Sequence, residues 1–437
     1  MLTNELMTQL SQGFSKLSRE ERFKRLHEMG VLTSTDIAYL QEGGVQNTLL
    51  AEKLVENVIG YFQLPMGVAT NFCIDGEDYV IPLAVEETSI IAALSKTARW
   101  VRQCGYINTE VLGDCILGQI QFANVLNFDR LNHAFTTHKN DLIESANNVV
   151  ASSMVNRGGG IMDMQLRRLT RPDGGTMAVI HLLMNCCDAM GANILNQVLE
   201  FLKAPLERLT GEKVAICILS NLNDQKITKA TITIEQIEPE LAMRIQEASL
   251  FAEIDPYRAA THNKGIMNGI DGVLIATGND WRAVEAGMHA YAARTGKYQA
   301  LSTWRYKQGA LVGEMTAPLI VGTVGGVTNL HPTAKLSLRM MKISSANQLS
   351  RVIAAVGLVQ NLGAIRALCT DGIIQGHMKL HIDNLAMVAG AAEHELPVLK
   401  EKLNYWLAAN KRVSLSHAHQ ILAEIRDPSM THFITEI

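Results

Sequence analysis

The sequence predicts an α+β protein with a large, mostly helical part at 1–111 and 223–374, interrupted by a smaller insert at 112–222 and followed by a helical segment at 375–437. Three observations predict it. Apolar residues recur at three- and four-residue spacing over most of the chain, the mark of amphipathic helices. Short strand-like runs cluster between 112 and 234. No G-x-G-x-x-G joins a strand to a helix, so the insert is a helices-on-a-sheet unit and not a Rossmann domain.

The elements follow in order. SREERFKRL begins a charged helix, and Leu49, Leu50, Leu54, Val55, Val58, Ile59 and Phe62 carry helical spacing up to Gly60 and Pro65, where the pattern stops. Tyr79 to Val85 reads as a strand and 89–103 as a helix, with Glu86 and Glu87 at their junction. In the insert, 116–122 and 178–184 are strands, while 142–154 and 192–209 are helices. Further strands are expected at 214–219 and 227–234, the latter alternating as a half-exposed strand should. Beyond it the chain returns to long amphipathic segments, notably 281–294 and 346–368.

Length and composition narrow the function classes. A chain of 437 residues exceeds one compact core, so two or three domains are expected. Charged residues make up 19% and hydrophobic ones 47%, the balance of a globular protein. Lys plus Arg number 39 against 43 Asp plus Glu, a net charge of -4. Such a chain has no bulk field for nucleic acid or an anionic membrane, so an anionic ligand must meet a local pocket. The longest apolar run, near 352–359, falls short of a membrane span, and the N-terminus lacks a secretory pattern, so a cytoplasmic location is expected. Seven cysteines without a C-x-x-C or a Cys/His cluster read as buried thiols, with no structural metal.

Several segments invite a chemical reading. Asp188-Ala189-Met190-Gly191-Ala192-Asn193 lies between a strand and a long helix, where free backbone N–H groups can take a phosphate or simply close a capped turn. Gly322-Thr323-Val324-Gly325-Gly326 can bring backbone close to a ligand or form an ordinary turn. The stretch 255–271 reads as a loop that concentrates Arg258, His262, Asn263, Lys264 and Asn268 among small residues; it is either a site or a basic solvent-facing turn. Asp280 or Asn279 caps the helix beginning at Trp281, and Glu87 is a first-turn carboxylate at its own helix. His377 near a loop is either a surface residue or a catalyst.

Taken together, the chain resembles hydroxymethylglutaryl-coenzyme A reductases of the bacterial class II type. The resemblance runs through ENVIG at 56–60, the 82–93 junction with Glu87, DAMGAN at 188–193, SNL at 220–222, DPYRAATHNKGIMNGID at 255–271, ATGNDWRAVEAG at 276–287, GTVGG at 322–326 and GHMKLH at 376–381. It implies reduction of the thioester HMG-CoA to mevalonate and free coenzyme A with two nicotinamide hydrides, or the reverse oxidation. It further implies a ferredoxin-like, non-Rossmann cofactor domain at 112–222 and a C-terminal flap at 375–437.

By the same resemblance, Lys264 is the cation at each oxyanion, Glu87 the proton source and Asp280 the carboxylate coupled to both. His377, in preference to His381, protonates the leaving thiolate, whose thiol titrates near ~8.5. Ser89, Arg258 and Asn268 orient the acyl group, while Asp188, Ala189, Met190, Gly191, Ala192, Asn193, Gly322, Gly325 and Gly326 hold the dinucleotide. No metal is implied. The family works as a homodimer to which ENVIG contributes, and class II dimers assemble into hexamers.

The chain departs from the pattern at one point. NADH-preferring members of class II carry an Asp ahead of the glycine cluster, where Val150-Ala151 stand here. Without that carboxylate a 2′-phosphate is not repelled, which leans the cofactor toward NADPH and leaves NADH open. Arg157 and Lys139 are the two nearby cations that a 2′-phosphate could meet. The rivals are a non-catalytic coenzyme A or nucleotide-binding protein on the same scaffold, and a structural oligomer whose motifs are caps and turns.

Overall fold

The computed structural model describes residues 11–370, 372, 382–410 and 412–427. The chain forms two compact units, 1–86 with 91–363 and 87–90 with 364–437. His377 and His381 lie outside the described residues.

The first unit holds three antiparallel sheets. Strands β1 (Met66–Ile74) and β2 (Glu77–Ala84) form a hairpin. Strands β3 (Gly105–Val111), β8 (Ile227–Ile234), β10 (Ala310–Pro318) and β9 (Ser302–Lys307) follow one another across the second sheet. The third contains β5 (Gly160–Thr170), β6 (Thr176–Asn185), β4 (Cys115–Phe122) and β7 (Ile216–Leu219) in that spatial order. Its chain order is β-α-β-β-α-β, because α4 (Phe128–Val149) follows β4 and α5 (Ala192–Thr210) follows β6. Ile120, Phe122, Leu131, Ile180, Leu182, Leu199 and Leu202 share one core between that sheet and its helices.

The remaining helices of this unit include α1 (Arg19–Glu28), closed by a capping box from Ser18 and Glu21, and α2 (Ser34–Gln41). They continue with α3 (Ile90–Cys104), α6 (Pro239–Ile254), α7 (Pro256–Ala276), α8 (Trp281–Ala292), α9 (Pro332–Met340) and α10 (Ala346–Cys369). In the second unit, α11 (Leu396–Asn410) and α12 (Leu415–Arg426) enclose Leu385, Leu399, Leu403, Ile421 and Leu422. There Arg426 grips Glu395 through both carboxylate oxygens at 2.8 Å.

Four expectations are corrected. The stretch 255–271 is not a loop but most of α7, started by the Asp255 side chain on Arg258 N and by Pro256 at the first position. Its glycines disguise the helix because they serve packing: a Cβ on Gly269 would stand 3.0 Å from Val356 and Gln360 of α10, and one on Gly272 equally close to Leu83 and Val85. The repeat at 49–62 forms only a short helix, Thr48–Ala51, and then turns, leaving Leu49, Val55, Ile59 and Phe62 exposed. Periodicity without a covering partner does not fix a helix.

The large part also carries more sheet than expected, since β1, β3, β9 and β10 lie where helices or no element were read. Asp75-Gly76 and Gln308-Gly309 close two hairpins with positive φ at both turn residues, the type I′ geometry that matches strand twist. Finally, α10 is long and apolar enough to cross a membrane by composition, with a mean hydropathy of 1.7 over its 18-residue window. Of that window 67% is buried inside the protein, as suits the core helix against α7. Of the cysteines, Cys186 is buried and the other six are partly so.

Candidate active site

Three of the segments singled out from sequence meet in the first unit. Thr323 N donates to Asp188 O at 2.9 Å, and Ala189 bridges Val324 in parallel, so DAMGAN and GTVGG lie edge to edge. Gly322 is what allows it: a Cβ there would stand 2.5 Å from Met190 N. Gly322 N in turn donates to Asn279 Oδ1 at 2.8 Å, tying both loops to the turn ahead of α8.

DAMGAN and the Asp280 turn border a cleft of about 520 Å³ lined by Met190, Ala192, Ser220, Asn221, Asp280 and Arg282, among others. SNL reaches it because α8 has Gly287 against Asn221 O, where a Cβ would stand at 2.6 Å. Gly191, with φ +93°, caps α5 without a side chain. The first N–H groups of α5 therefore face the DAMGAN turn unencumbered, an arrangement suited to a phosphate.

The individual side chains are placed as follows. Asp280 is the N-cap of α8, accepting from Ala283 N at 3.1 Å, and its Oδ1 lies 3.6 Å from Arg282 Nε; the cap and the cleft wall are the same residue. Asn279 turns away to Thr277 and Gly322. Asp188 Oδ1 accepts from Ala346 N at 2.8 Å, so this carboxylate holds the first turn of α10 to the DAMGAN loop. Asn193 opens α5, and Gly325 and Gly326, both at positive φ, start a short helix at the rim of the second loop.

Lys264 is exposed on α7, with Asn268 half-buried one turn on and Arg258 half-buried ahead of it. His262 is buried beside them, where Asn361 Nδ2 donates to its Nε2 at 3.1 Å. Burial, helped by the nearby Arg258 charge, pushes its imidazole down to about 4, so it is neutral near pH 7. In the second unit Glu87 is exposed in the turn before α3, and Ser89 adopts φ +78° with a buried Oγ that has no partner among the described residues.

Sequence reasoning did not single out Arg282, Asn221 or Lys226. Lys226 is only 4% exposed, close to Cys186, Asp114, Cys115 and Asp188, and burial pushes its ammonium down. Burial raises the Cys115 thiol to about 11 and the Cys186 thiol to about 12. A lysine just ahead of an alternating strand carries no signal of such burial. Asn221 was within a quoted motif, and Arg282 could have been found as the residue after a cap at a site. The glycine cluster 158–160 abuts the same loop, Gly159 lying against Asn185 O and Cys187 Sγ.

An α+β protein with a cleft beside a glycine-edged loop, and with a lysine and a carboxylate on successive helices, has the make-up of an oxidoreductase. The family model for hydroxymethylglutaryl-coenzyme A reductase matches residues 18–382. The 3-hydroxy-3-methylglutaryl-coenzyme A reductase of Archaeoglobus fulgidus is 42% identical over 95% of this chain and 94% of its own length. A probable reductase of the same name from Borreliella burgdorferi is 31% identical over 96% of each. The Streptococcus pneumoniae reductase structure aligns with TM-score 0.80 and 38% identity over 95% of this chain and 99% of that one. A class II structure from the same organism, bound to NADPH in open conformations, aligns with TM-score 0.79 and 38% identity over 82% of this chain and 99% of that one. The chain belongs to the hydroxymethylglutaryl-coenzyme A reductase family and is an oxidoreductase.

Proposed function

We propose that the chain catalyses the four-electron reductive deacylation of (S)-HMG-CoA to (R)-mevalonate and coenzyme A, with the reverse oxidation open to the same site. The cleft shared by DAMGAN, SNL and the Asp280 turn, with GTVGG hydrogen-bonded to DAMGAN, carries this reading within the family. The residues fit a dinucleotide: two loops in backbone contact, a glycine where a Cβ would block that contact, and a side-chain-free helix N-terminus. When bound, the reduced nicotinamide supplies the hydride.

The protein's own groups then have distinct tasks. The Lys264 ammonium neutralises negative charge on the carbonyl oxygen, first of the thioester and then of the aldehyde. Glu87 donates the proton that each new oxygen takes up, and Asp280 couples to the lysine so that the group titrates together. His377 protonates the coenzyme A thiolate and thereby suppresses its return to the aldehyde. Arg258 pairs with the substrate carboxylate, while Ser89 and Asn268 orient the acyl chain.

NADPH is the proposed cofactor, with NADH as the alternative. Support comes from the missing carboxylate at Val150-Ala151 and from a relative's structure bound to NADPH. Lys139 is engaged with Asp163, which leaves Arg157, exposed with Nε on Ser153 O, as the cation for a 2′-phosphate. The proposed assembly is a homodimer extended to a hexamer; exposed Leu49, Val55, Ile59 and Phe62 around ENVIG support a partner surface there. The proposed division keeps 112–222 as the cofactor domain and 375–437 as the flap.

The test is purified protein with HMG-CoA and each reduced nicotinamide in turn, following absorbance of the reduced cofactor. Two cofactor equivalents oxidised per thioester are expected, with the lower KM for NADPH; no oxidation with either cofactor refutes the reading.

A further inference from the structure

Two buried polar side chains stand directly ahead of Lys264 on α7. His262 is 2% exposed and Asn263 is fully buried, whereas Lys264 itself is exposed. Both reach the same stretch of chain, the link between α8 and β9 with the first residue of β9. His262 Nε2 lies 2.7 Å from Ser302 Oγ. Asn263 makes three bonds. Leu301 N donates to its Oδ1 at 2.9 Å, while its Nδ2 donates to Gln299 O at 2.9 Å and to the Tyr298 hydroxyl at 3.0 Å. The link is fastened on its other side as well, since Lys297 Nζ donates to Ile254 O of α6 at 2.7 Å and Gln299 N to Ala292 O of α8 at 3.1 Å.

The Tyr298 hydroxyl is the member that joins two helices. Its oxygen is 2.8 Å from Nδ1 of His289, on α8. Donor counting fixes the direction of both bonds. A backbone N–H can only donate, so the Asn263 atom that meets Leu301 is the amide oxygen, and the two hydrogens of the amide nitrogen go to Gln299 and Tyr298. The tyrosine oxygen therefore accepts from Asn263, and its own proton goes to His289 Nδ1. The result is a relay from Asn263 through Tyr298 to His289.

Successive helical residues are turned by about 100°, so holding 262 and 263 fixes the direction in which Lys264 leaves α7. We infer that the Tyr298 hydroxyl positions the Lys264 ammonium by pinning that turn of α7 to α8. The inference rests on the reductase reading, in which the ammonium meets the carbonyl oxygen. Tyr298 and His289 are positioning residues: neither is assigned to substrate or cofactor. Without the hydroxyl, Asn263 keeps a buried N–H with no acceptor, a costly state that rotation of the turn relieves. A shift of about 1 Å at a reacting group can lower turnover by as much as about 10².

Tyr298→Phe removes one oxygen and keeps the ring. It is expected to lower kcat about tenfold. The KM of the nicotinamide should stay within about twofold, because Asn263, Tyr298 and His289 do not line the DAMGAN cleft. A bond that served stability alone would lower Tm and leave kcat unchanged. His289 supplies the conservative control. In His289→Asn a side-chain oxygen takes the place of Nδ1 and still accepts from Tyr298, so kcat is expected within about twofold of wild type. His289→Leu cannot accept, and is expected to lose as much as Tyr298→Phe.

Hydrogen exchange reads the relay without turnover. Amides of 260–266 should exchange about tenfold faster in Tyr298→Phe and His289→Leu, with those of α10 unchanged. Wild-type kcat in Tyr298→Phe, or equal losses in His289→Asn and His289→Leu, would overturn the inference. Should Tyr298→Phe not fold, the two His289 variants decide by the same criterion. An inactive wild type would refute the reductase reading instead; the exchange comparison then decides the relay by itself, and unchanged exchange in α7 would overturn it.

Discussion

The cleft beside the insert and the face between α7 and α8 are made of different materials. The cleft is backbone: Thr323 N on Asp188 O, the Ala189–Val324 bridge, Gly322 N on Asn279, and glycines where a Cβ would collide. The α7–α8 face is side chain: Lys264, Asn268 and Asp271 along one helix, Asp280 and Glu285 on the next. A backbone surface tolerates loss of side-chain atoms and breaks when atoms are added; a side-chain surface does the reverse.

The largest expected effect tests the side-chain half. Lys264→Ala should lower kcat by about 10²–10³ or more, the usual loss for an oxyanion donor, with Tm and oligomeric state unchanged because the residue is exposed. A comparable loss of folded protein would make the lysine structural and erase the contrast. Gly322→Ala tests the backbone half. With 2.5 Å between the new Cβ and Met190 N, the loops must part, at roughly 1–3 kcal/mol as for other overpacked sites. The KM for the nicotinamide should rise more than that for HMG-CoA; equal kinetics would show that the loops do not hold the cofactor.

Asp188 sharpens the comparison because its peptide belongs to the cleft while its carboxylate serves α10. Asp188→Ala should cost about 1 kcal/mol, the usual value of a lost cap, measured by denaturant unfolding. Asp188→Asn, whose amide oxygen still accepts from Ala346 N, should cost less; equal losses would mean that charge and not capping is at stake. The smallest effect lies outside both regions. The Arg426 guanidinium holds the Glu395 carboxyl down to about 2, so its stabilisation is complete above the ordinary value of 4.5 and lost as pH falls toward 2. The Tm gap between wild type and Glu395→Gln should therefore close over that window, with no change in kinetics at pH 7.

How much was legible follows from how each region is made. In the insert, β4, β6, β7 and α5 could be read within a few residues, because a sheet covered on one face imposes alternation and a helix on it carries an apolar stripe, whereas β5 was missed and α4 starts at Phe128, well ahead of the expected 142. The helix α7 could not, because its close contacts with α10 and β2 select glycine and alanine, which look like a loop in a periodicity reading. The segment 49–62 failed in the opposite direction: it has helical spacing, but no neighbour within the described chain to bury it. The hairpins at Asp75-Gly76 and Gln308-Gly309 were signalled by their turn residues and missed.

The candidate site divides similarly. Asp280 as a cap and the DAMGAN loop at a helix start were readable from local sequence. That DAMGAN, GTVGG and the Asp280 turn touch, that Asp188 reaches Ala346, and that Lys226 is buried among thiols were not.

The sequence by itself determined the mixed class, the non-Rossmann character of the insert, and the chemical inventory of lysine, carboxylates and glycine loops. These depend on neighbours a few residues apart, whose spacing and dihedral preferences are written in order along the chain. Only the tertiary structure decided which loops touch and which side chains reach across the fold. The Asp188–Ala346 bond closes a span of 158 residues. Such contacts arise from the packing of whole elements, and burial then sets which groups can carry charge.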